Sequence, residues 1–179
     1  MSSQTKTYDR PARIIHWLMA ALILMMLFIG VVMVSISSAE RQVLLTLHKS
    51  LGVIILILGV TRLAWRFVSP PPEPPANEPR WRRHVAETTH IVFYALMLTL
   101  PLFGWAMQSA GGYPVVIWGG LHLPPLAPHN GDLHAILRSA HRIGAYVLYG
   151  LFLLHVSAAL LHAMVFEDGT LRRMVGGRP

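Results

Sequence analysis

The chain contains no cysteine among its 179 residues. Disulfide bonds, iron–sulfur clusters held by thiolates, and haem attached covalently through a Cys-x-x-Cys-His motif are therefore excluded. Acidic side chains are also few, eight in total, and none of them falls within the long apolar runs of the chain. Any cofactor held inside those runs must be held by other side chains.

Charged residues of both signs are scarce. They make up 13% of the chain, whereas soluble domains carry about 25%. Apolar runs of about 20 residues are long enough to span a bilayer, and four such runs occur, at about 14–34, 43–63, 91–107 and 143–166. We therefore predict an all-α integral membrane four-helix bundle, formed by 1–179 as a single transmembrane domain with helices at about 12–35, 42–66, 86–108 and 134–166.

The net charge of +7 is distributed unevenly between the two ends of the predicted helices. The larger basic group lies at the end that carries both termini: Lys6, Arg10, Arg13, Arg62, Arg66, Arg80, Arg82, Arg83, Arg172, Arg173 and Arg178. The smaller group lies at the other end: Arg41, Lys49, Arg138 and Arg142. Basic residues that flank membrane spans accumulate on the cytoplasmic side, so we expect both termini in the cytoplasm. The basic excess then reflects topology, and no nucleic-acid partner is expected.

Histidine is abundant, with ten residues in the chain. Six of them lie in the predicted helices or at their edges: His16, His48, His90, His141, His155 and His162. An ionisable side chain inside a membrane span is costly, so its presence indicates function. In the fourth helix, intervals of fourteen and then seven residues separate three histidines. Because a seven-residue step drifts only about 20° around a helix, these three share one face.

The depths of four histidines predict two pairs that join different helices. His48 and His141 lie near the outer ends of their helices, and His16 and His155 lie nearer the inner ends. Fourteen residues rise about 21 Å along a helix, so the pairs lie near opposite faces of the membrane. Paired imidazoles without cysteine suit haem iron, whereas zinc requires a third or fourth ligand. Interhelical hydrogen bonds by single histidines are the alternative.

Five neighbouring residues fit a haem environment. Gly52 and Gly144 each follow a predicted ligand by about one turn and leave room for a macrocycle. Close packing of small residues between helices explains them equally well. Arg13, Lys49 and Arg142 lie next to predicted ligands, where they would neutralise haem propionates. Their alternative role is to reach the lipid headgroups.

The remaining histidines have simpler expectations. His90 and His162 are expected at the cytoplasmic edge, where a histidine can bind a quinone or exchange protons with it. Hydrogen bonding at a helix end is the alternative. His122, His129 and His134 fall in or near the long outer loop, where we expect them to be solvated.

Four segments carry a resemblance to a known family: RIIHW (13–17), LHKSLGV (47–53), HRIGAYVLYGLFLLH (141–155) and LLHAMVFEDGTLRRM (160–174). They resemble the bacterial cytochrome b-561 family, which includes membrane superoxide oxidases. The resemblance covers all four helices. It implies a bundle that holds two b-type haems, with axial ligands at His16, His48, His141 and His155.

The resemblance also implies a function in the bacterial inner membrane. Electrons would pass from periplasmic superoxide through two haem b groups to ubiquinone, which makes the chain a superoxide:quinone oxidoreductase. The outer face offers only four basic residues to attract the superoxide anion, and salt screens their charge beyond about 8 Å. The alternative is a cytochrome b electron-transfer subunit of a larger membrane enzyme, such as a hydrogenase or formate dehydrogenase. A haem-free membrane module is the third possibility.

Overall fold

A computed structural model describes residues 7–73 and 78–176. Its helices are α1 (Arg10–Ser35), α2 (Ser38–Val68), α3 (Arg80–Ala110), α4 (Gly131–Met164) and α5 (Thr170–Val175). The first four are long and apolar enough to cross a membrane, which confirms the predicted four-helix membrane bundle. Lys6 and Arg178, which belong to the larger basic group, lie outside the described residues.

All four long helices begin earlier than predicted, because hydropathy marks only their apolar parts, while α4 ends at Met164, two residues before its predicted end. The Oδ1 atom of Asp9 accepts a hydrogen bond of 3.0 Å from the amide of Ala12 and caps α1. Asn130 caps α4 in the same way, with 2.9 Å to the amide of Leu133. Such caps satisfy amides that have no partner within the helix. The helix α3 begins at Arg80 rather than near 86. Its first turns are rich in charged residues, so hydropathy did not mark them as part of the helix.

The helices pack in chain order, with α1 on α2, α2 on α3, and α3 on α4. The buried core lies at mid-height and is formed by Met19 and Ile23 of α1, Ile55 of α2 and Met97 of α3. Within the described residues, α4 has no buried side chain, but its partly buried Leu148 and Phe152 pack against this core. We name the two halves of the bundle, above and below the core, by their ends. The outer end carries the α1–α2 connection, and the inner end carries residues 7–9 and α5.

The long loop at the outer end folds into a hairpin that the sequence did not predict. Strands β1 (Val115–Ile117) and β2 (Leu121–Leu123) pair antiparallel. Gly119 and Gly120 connect them with φ of 83° and 75°, a backbone conformation that glycine adopts without strain. The hairpin is attached to the bundle because the buried Oγ atom of Ser50 accepts a 2.8 Å hydrogen bond from the amide of Trp118.

The short helix α5 covers part of the inner end. Trp17 of α1 donates from Nε1 to the carbonyl of Met174 at 3.2 Å. The amide of Tyr8 donates to the carbonyl of Arg173 at 3.3 Å, and the guanidinium of Arg173 donates to the carbonyl of Glu73 at 2.8 Å. The segment after α4 is therefore joined to residues at the start of α1 and to the connection that follows α2.

Candidate haem-binding sites

The outer site contains His48 of α2 and His141 of α4. Their ring centres lie 6.1 Å apart, and their planes are inclined by 67°. The Nδ1 atom of His141 lies 3.0 Å from the carbonyl oxygen of Leu100. Since a carbonyl only accepts, Nδ1 must carry the proton, and Nε2 is left with its lone pair free for a metal.

The surroundings of the outer site keep these two rings in place. A Cβ atom added to Gly104 of α3 would lie 3.2 Å from the Cε1 atom of His141, so the ring packs directly on this glycine. The Nδ1 atom of His48 is buried and has no hydrogen-bond partner among the described residues. A buried polar atom without a partner is rare in native proteins and indicates an additional group beside it.

The inner site contains three imidazoles rather than two. The ring centre of His155 on α4 lies 6.3 Å from that of His16 on α1, with planes inclined by 67°. It lies 6.1 Å from that of His90 on α3, with planes inclined by 66°. His90 therefore lies beside the predicted haem ligands and deeper than the cytoplasmic edge where it was expected. The ring of Phe93 also meets His155 edge-on at 5.3 Å.

These separations fit a metal bound between two imidazoles. Two metal–nitrogen bonds of about 2 Å, and about 1 Å from each nitrogen to its ring centre, add up to about 6 Å. Among the described residues, no group of three or more His, Cys, Asp or Glu is arranged around a single metal ion. The donor set of paired neutral nitrogens thus matches haem iron, whose other four positions the porphyrin fills.

The five neighbouring residues occupy different kinds of position. A Cβ atom on Gly144 would lie 2.6 Å from Leu100 Cδ2, so this glycine allows α4 to pack on α3. A Cβ atom on Gly52 would meet only the Cε atom of Met26, at 3.9 Å. Arg142 is exposed and Lys49 is half-buried. The Nε atom of Arg13 is buried, and it has no hydrogen-bond partner in the part of the chain that the structure describes.

The end of α4 carries a second polar arrangement. His162 Nδ1 lies 2.5 Å from Asp168 Oδ2, so the imidazole donates to the carboxylate. Partial burial of Asp168 raises its pKa, but hydrogen bonds from Thr170 and His162 outweigh burial and hold that pKa below its ordinary value of 3.8. Phe166 packs on the His162 ring at 5.3 Å and under the guanidinium of Arg82 at 4.2 Å.

The expectation that the outer-loop histidines are solvated is wrong for His134. Its Nδ1 atom donates to the carbonyl of Met107 at 2.8 Å, and its ring packs on Tyr113 at 6.1 Å. His134 therefore joins the first turn of α4 to the last turn of α3. Glycine makes this contact possible, since a Cβ on Gly111 would lie 2.8 Å from the same ring.

A family model described as prokaryotic cytochrome b561 matches residues 7–177. The chain belongs to this family. It is 29% identical over 163 residues to cytochrome b561 homolog 2 of Escherichia coli (strain K12), an alignment that covers 90% of this chain and 87% of that protein. It is 31% identical over 135 residues to cytochrome b561 homolog 1 of the same organism, covering 73% of this chain and 74% of that protein.

A third relative is the probable superoxide oxidase CybB of Yersinia pestis. The chain is 35% identical to it over 130 residues, which cover 72% of this chain and 73% of that protein. Membership of the cytochrome b561 family implies haem b, electron transport and a multi-pass membrane location. The two imidazole pairs are the features of this cytochrome that match such a cofactor.

Sequence reasoning missed the groups that support the imidazoles in this cytochrome b561. The carbonyl of Leu100 and the surface of Gly104 reach His141 only because α3 and α4 pack closely, and no local motif encodes that contact. Arg62 was assigned to topology, although it lies within the second apolar run and donates from Nε to Tyr94 Oη at 3.3 Å. Its position inside a membrane span was the signal that a role beyond topology should be considered.

Proposed function

We propose that this cytochrome b561 is a di-haem b membrane oxidoreductase that transfers electrons from a periplasmic donor, with superoxide as the first candidate, to ubiquinone. The observation that carries this proposal is the presence of two imidazole pairs at different depths, with ring centres 6.1 Å and 6.3 Å apart. When bound, each haem supplies an iron that changes its charge by one electron. The protein's own residues hold, orient and insulate these groups.

The outer haem is held by His48 and His141, and the inner haem by His16 and His155. The Leu100 carbonyl fixes the tautomer of His141 and the direction of its Nε2 atom. The core between the two levels excludes water because Met19, Ile23, Ile55 and Met97 fill it.

The proposed orientation places both termini in the cytoplasm and the hairpin in the periplasm of a bacterium, with the bundle in the inner membrane. The unequal distribution of basic residues between the two ends supports it. The outer histidine pair then lies on the periplasmic side. Lys49 and Arg142 directly follow its two histidines and bring positive charge to the proposed donor side, where they would also pair with the propionates of a bound haem.

The acceptor is proposed to bind at the inner edge. His162 donates from Nδ1 to the Asp168 carboxylate, which would stabilise the ring when both of its nitrogens carry protons. The Nε2 proton of that ring can then pass to a quinone oxygen and be replaced from water. His90 is the other candidate for contact with the quinone. The centre of its ring lies 6.1 Å from that of His155, so His90 is also a competing ligand for the inner iron.

Superoxide is favoured as donor by the similarity to the Yersinia pestis protein, which is named a probable superoxide oxidase. The second candidate function, a subunit that receives electrons from a partner protein, is favoured by the hairpin. Trp118 at its tip is 81% exposed, and Leu121 at the start of β2 and Tyr113 before β1 are also exposed. Such an exposed apolar group suits either the lipid headgroup region or a docked protein.

The deciding experiment mixes the purified, oxidised protein rapidly with superoxide, with and without a short-chain ubiquinone. The proposal predicts that superoxide reduces the haems and that added quinone reoxidises them. A His48→Ala variant is the matched control, because it lacks one ligand of the outer haem and retains the inner pair. Failure of superoxide to reduce the wild-type haems would overturn the donor assignment and favour the subunit function.

A further inference from the structure

Arg62 is the one basic residue of α2 that the structure places within electrostatic reach of all three inner imidazoles, those of His16, His90 and His155. The register between α1 and α2 brings it there. Trp65 of α2 donates from Nε1 to Asp9 Oδ2 at 2.9 Å at the start of α1. Because the two helices are antiparallel, Arg62 then lies beside the first turn of α1, about one turn from His16.

The guanidinium of Arg62 is half-buried and has no counter-charge in the described residues, where the recorded ion pairs join other side chains. The carboxylate of Asp9 accepts hydrogen bonds from Trp65 and Ala12 and forms no ion pair with Arg62. The contact that Arg62 does make is to the hydroxyl of Tyr94, one turn beyond His90 on α3. An uncompensated charge in a membrane span is costly, so an anionic group is expected beside it.

A small open cavity of about 30 Å³ provides the place for such a group. Arg62, Trp65 and Arg66 line it from one face of α2, and Ala12 and Ile15 line it from α1. Two guanidiniums and little acidity favour a carboxylate or phosphate. The cavity lies at the inner end of the bundle, and Ile15 in its wall directly precedes His16 in the chain. A carboxylate carried by a group bound at the inner imidazoles would meet the guanidinium of Arg62 from this side.

We propose that Arg62 binds a carboxylate side chain of the inner haem, and that its positive charge raises the reduction potential of that haem. The inference rests on the proposed inner haem. A fixed positive charge stabilises the reduced iron, which has one positive charge fewer than the oxidised iron. The outer haem lies beyond the buried core and is unaffected by the same charge.

The test is a potentiometric titration of the purified full chain, followed in the visible spectrum, for wild type, Arg62→Gln and Arg62→Lys. In Arg62→Gln, the equilibrium constant for one-electron reduction of one haem should fall about tenfold, which lowers its reduction potential by ~59 mV. The potential of the other haem should be unchanged. In Arg62→Lys, most of the wild-type potential should remain. Repeating the pair of variants in a His141→Ala chain, which retains only the inner haem, identifies the haem that shifts.

Arg83→Gln is the matched control, since Arg83 lies at the same end but is exposed and paired with Glu87 at 2.9 Å. Equal shifts in both haems, a shift in the control of the same size, or no shift in Arg62→Gln would overturn the inference. If Arg62→Gln loses one haem, Arg62→Lys must keep both, because loss in both variants would show a merely structural role.

The source of the anion is tested by repeating the titrations in lipid-free detergent and in bilayers that contain phosphatidylglycerol. A haem carboxylate predicts the same effect of Arg62→Gln in both media. An effect that appears only with phosphatidylglycerol would assign the cavity to a lipid phosphate and overturn the inference. The haem content of the wild type distinguishes failure of the Arg62 inference from failure of the proposed function. A wild-type chain with fewer than two haems refutes the proposed di-haem function, whatever the Arg62 variants show.

Discussion

The contact between Gly104 and His141 allows a sharp test of the outer site. A methyl group at position 104 would lie 3.2 Å from Cε1 and 3.4 Å from Nδ1 of the imidazole, whereas carbon atoms normally pack at about 3.5–4.0 Å. The ring must therefore tilt by a few tenths of an ångström, and the 3.0 Å hydrogen bond to the Leu100 carbonyl weakens. We predict that Gly104→Ala weakens binding of the outer haem and leaves the inner haem unchanged.

The magnitude follows from the hydrogen bond that the methyl group disturbs. A net contribution of about 0.5–1.5 kcal/mol corresponds to a loss of roughly twofold to tenfold in haem affinity. Alanine also stabilises a helix relative to glycine by about 0.5–1 kcal/mol, but this gain affects folding rather than haem binding. The two effects are therefore separated by measuring haem affinity and the thermal unfolding midpoint independently.

The assay is the rate at which each haem transfers to an excess of an apo-haem protein, resolved by the spectra of the two haems. Gly150→Ala is the matched control, because a Cβ at Gly150 of α4 has nothing within 4 Å. It should raise the unfolding midpoint slightly and leave both transfer rates unchanged. The reasoning would be refuted if the outer haem left Gly104→Ala and the wild type at the same rate, or if Gly104→Ala lost its inner haem faster.

Three further outcomes are expected. His16→Ala should lose one haem and His90→Ala should keep both, by pyridine haemochromogen assay; the reverse result would assign the inner iron to His90. Ser50→Ala removes the acceptor of the Trp118 amide and should cost about 0.5–1.5 kcal/mol of local stability, seen as faster amide exchange in the hairpin than in wild type. The depressed pKa of Asp168 means that its bond to the imidazole is present above pH 3.8 and is lost only as the pH falls through the lower folded-state value. The protection of α5 amides, measured relative to their intrinsic exchange at each pH, should therefore fall only below pH 3.8, and a loss of protection near pH 5 would contradict this.

The fold was accessible from the sequence because the bilayer imposes a simple constraint. Long apolar runs must become helices when no water is present to satisfy the backbone, so four helices followed from hydropathy alone. Their ends did not follow, because a cap such as Asn130 and the charged start of α3 at Arg80 depend on local hydrogen bonds. The hairpin was also missed, since Ser50 and Trp118 are far apart in the chain.

The candidate sites were accessible only in part. Helical spacing places His141 and His155 on one face at two depths, and the structure places a second imidazole about 6 Å from each; haem ligation itself remains a prediction. Spacing within one helix cannot reveal a contact from another helix. The Leu100 carbonyl and Arg62 therefore escaped notice, and His90 was expected at too shallow a depth.

The central claim is that paired imidazoles hold two haem b groups in one chain. It is tested most directly by the haem-to-protein ratio and the reduced-minus-oxidised spectrum of the purified full chain, beside His141→Ala and His155→Ala. The account predicts two low-spin b-type haems in the wild type and one in each variant, with different spectra because different haems remain. A colourless wild-type protein from cells supplied with haem precursor, or two haems retained in either variant, would contradict it.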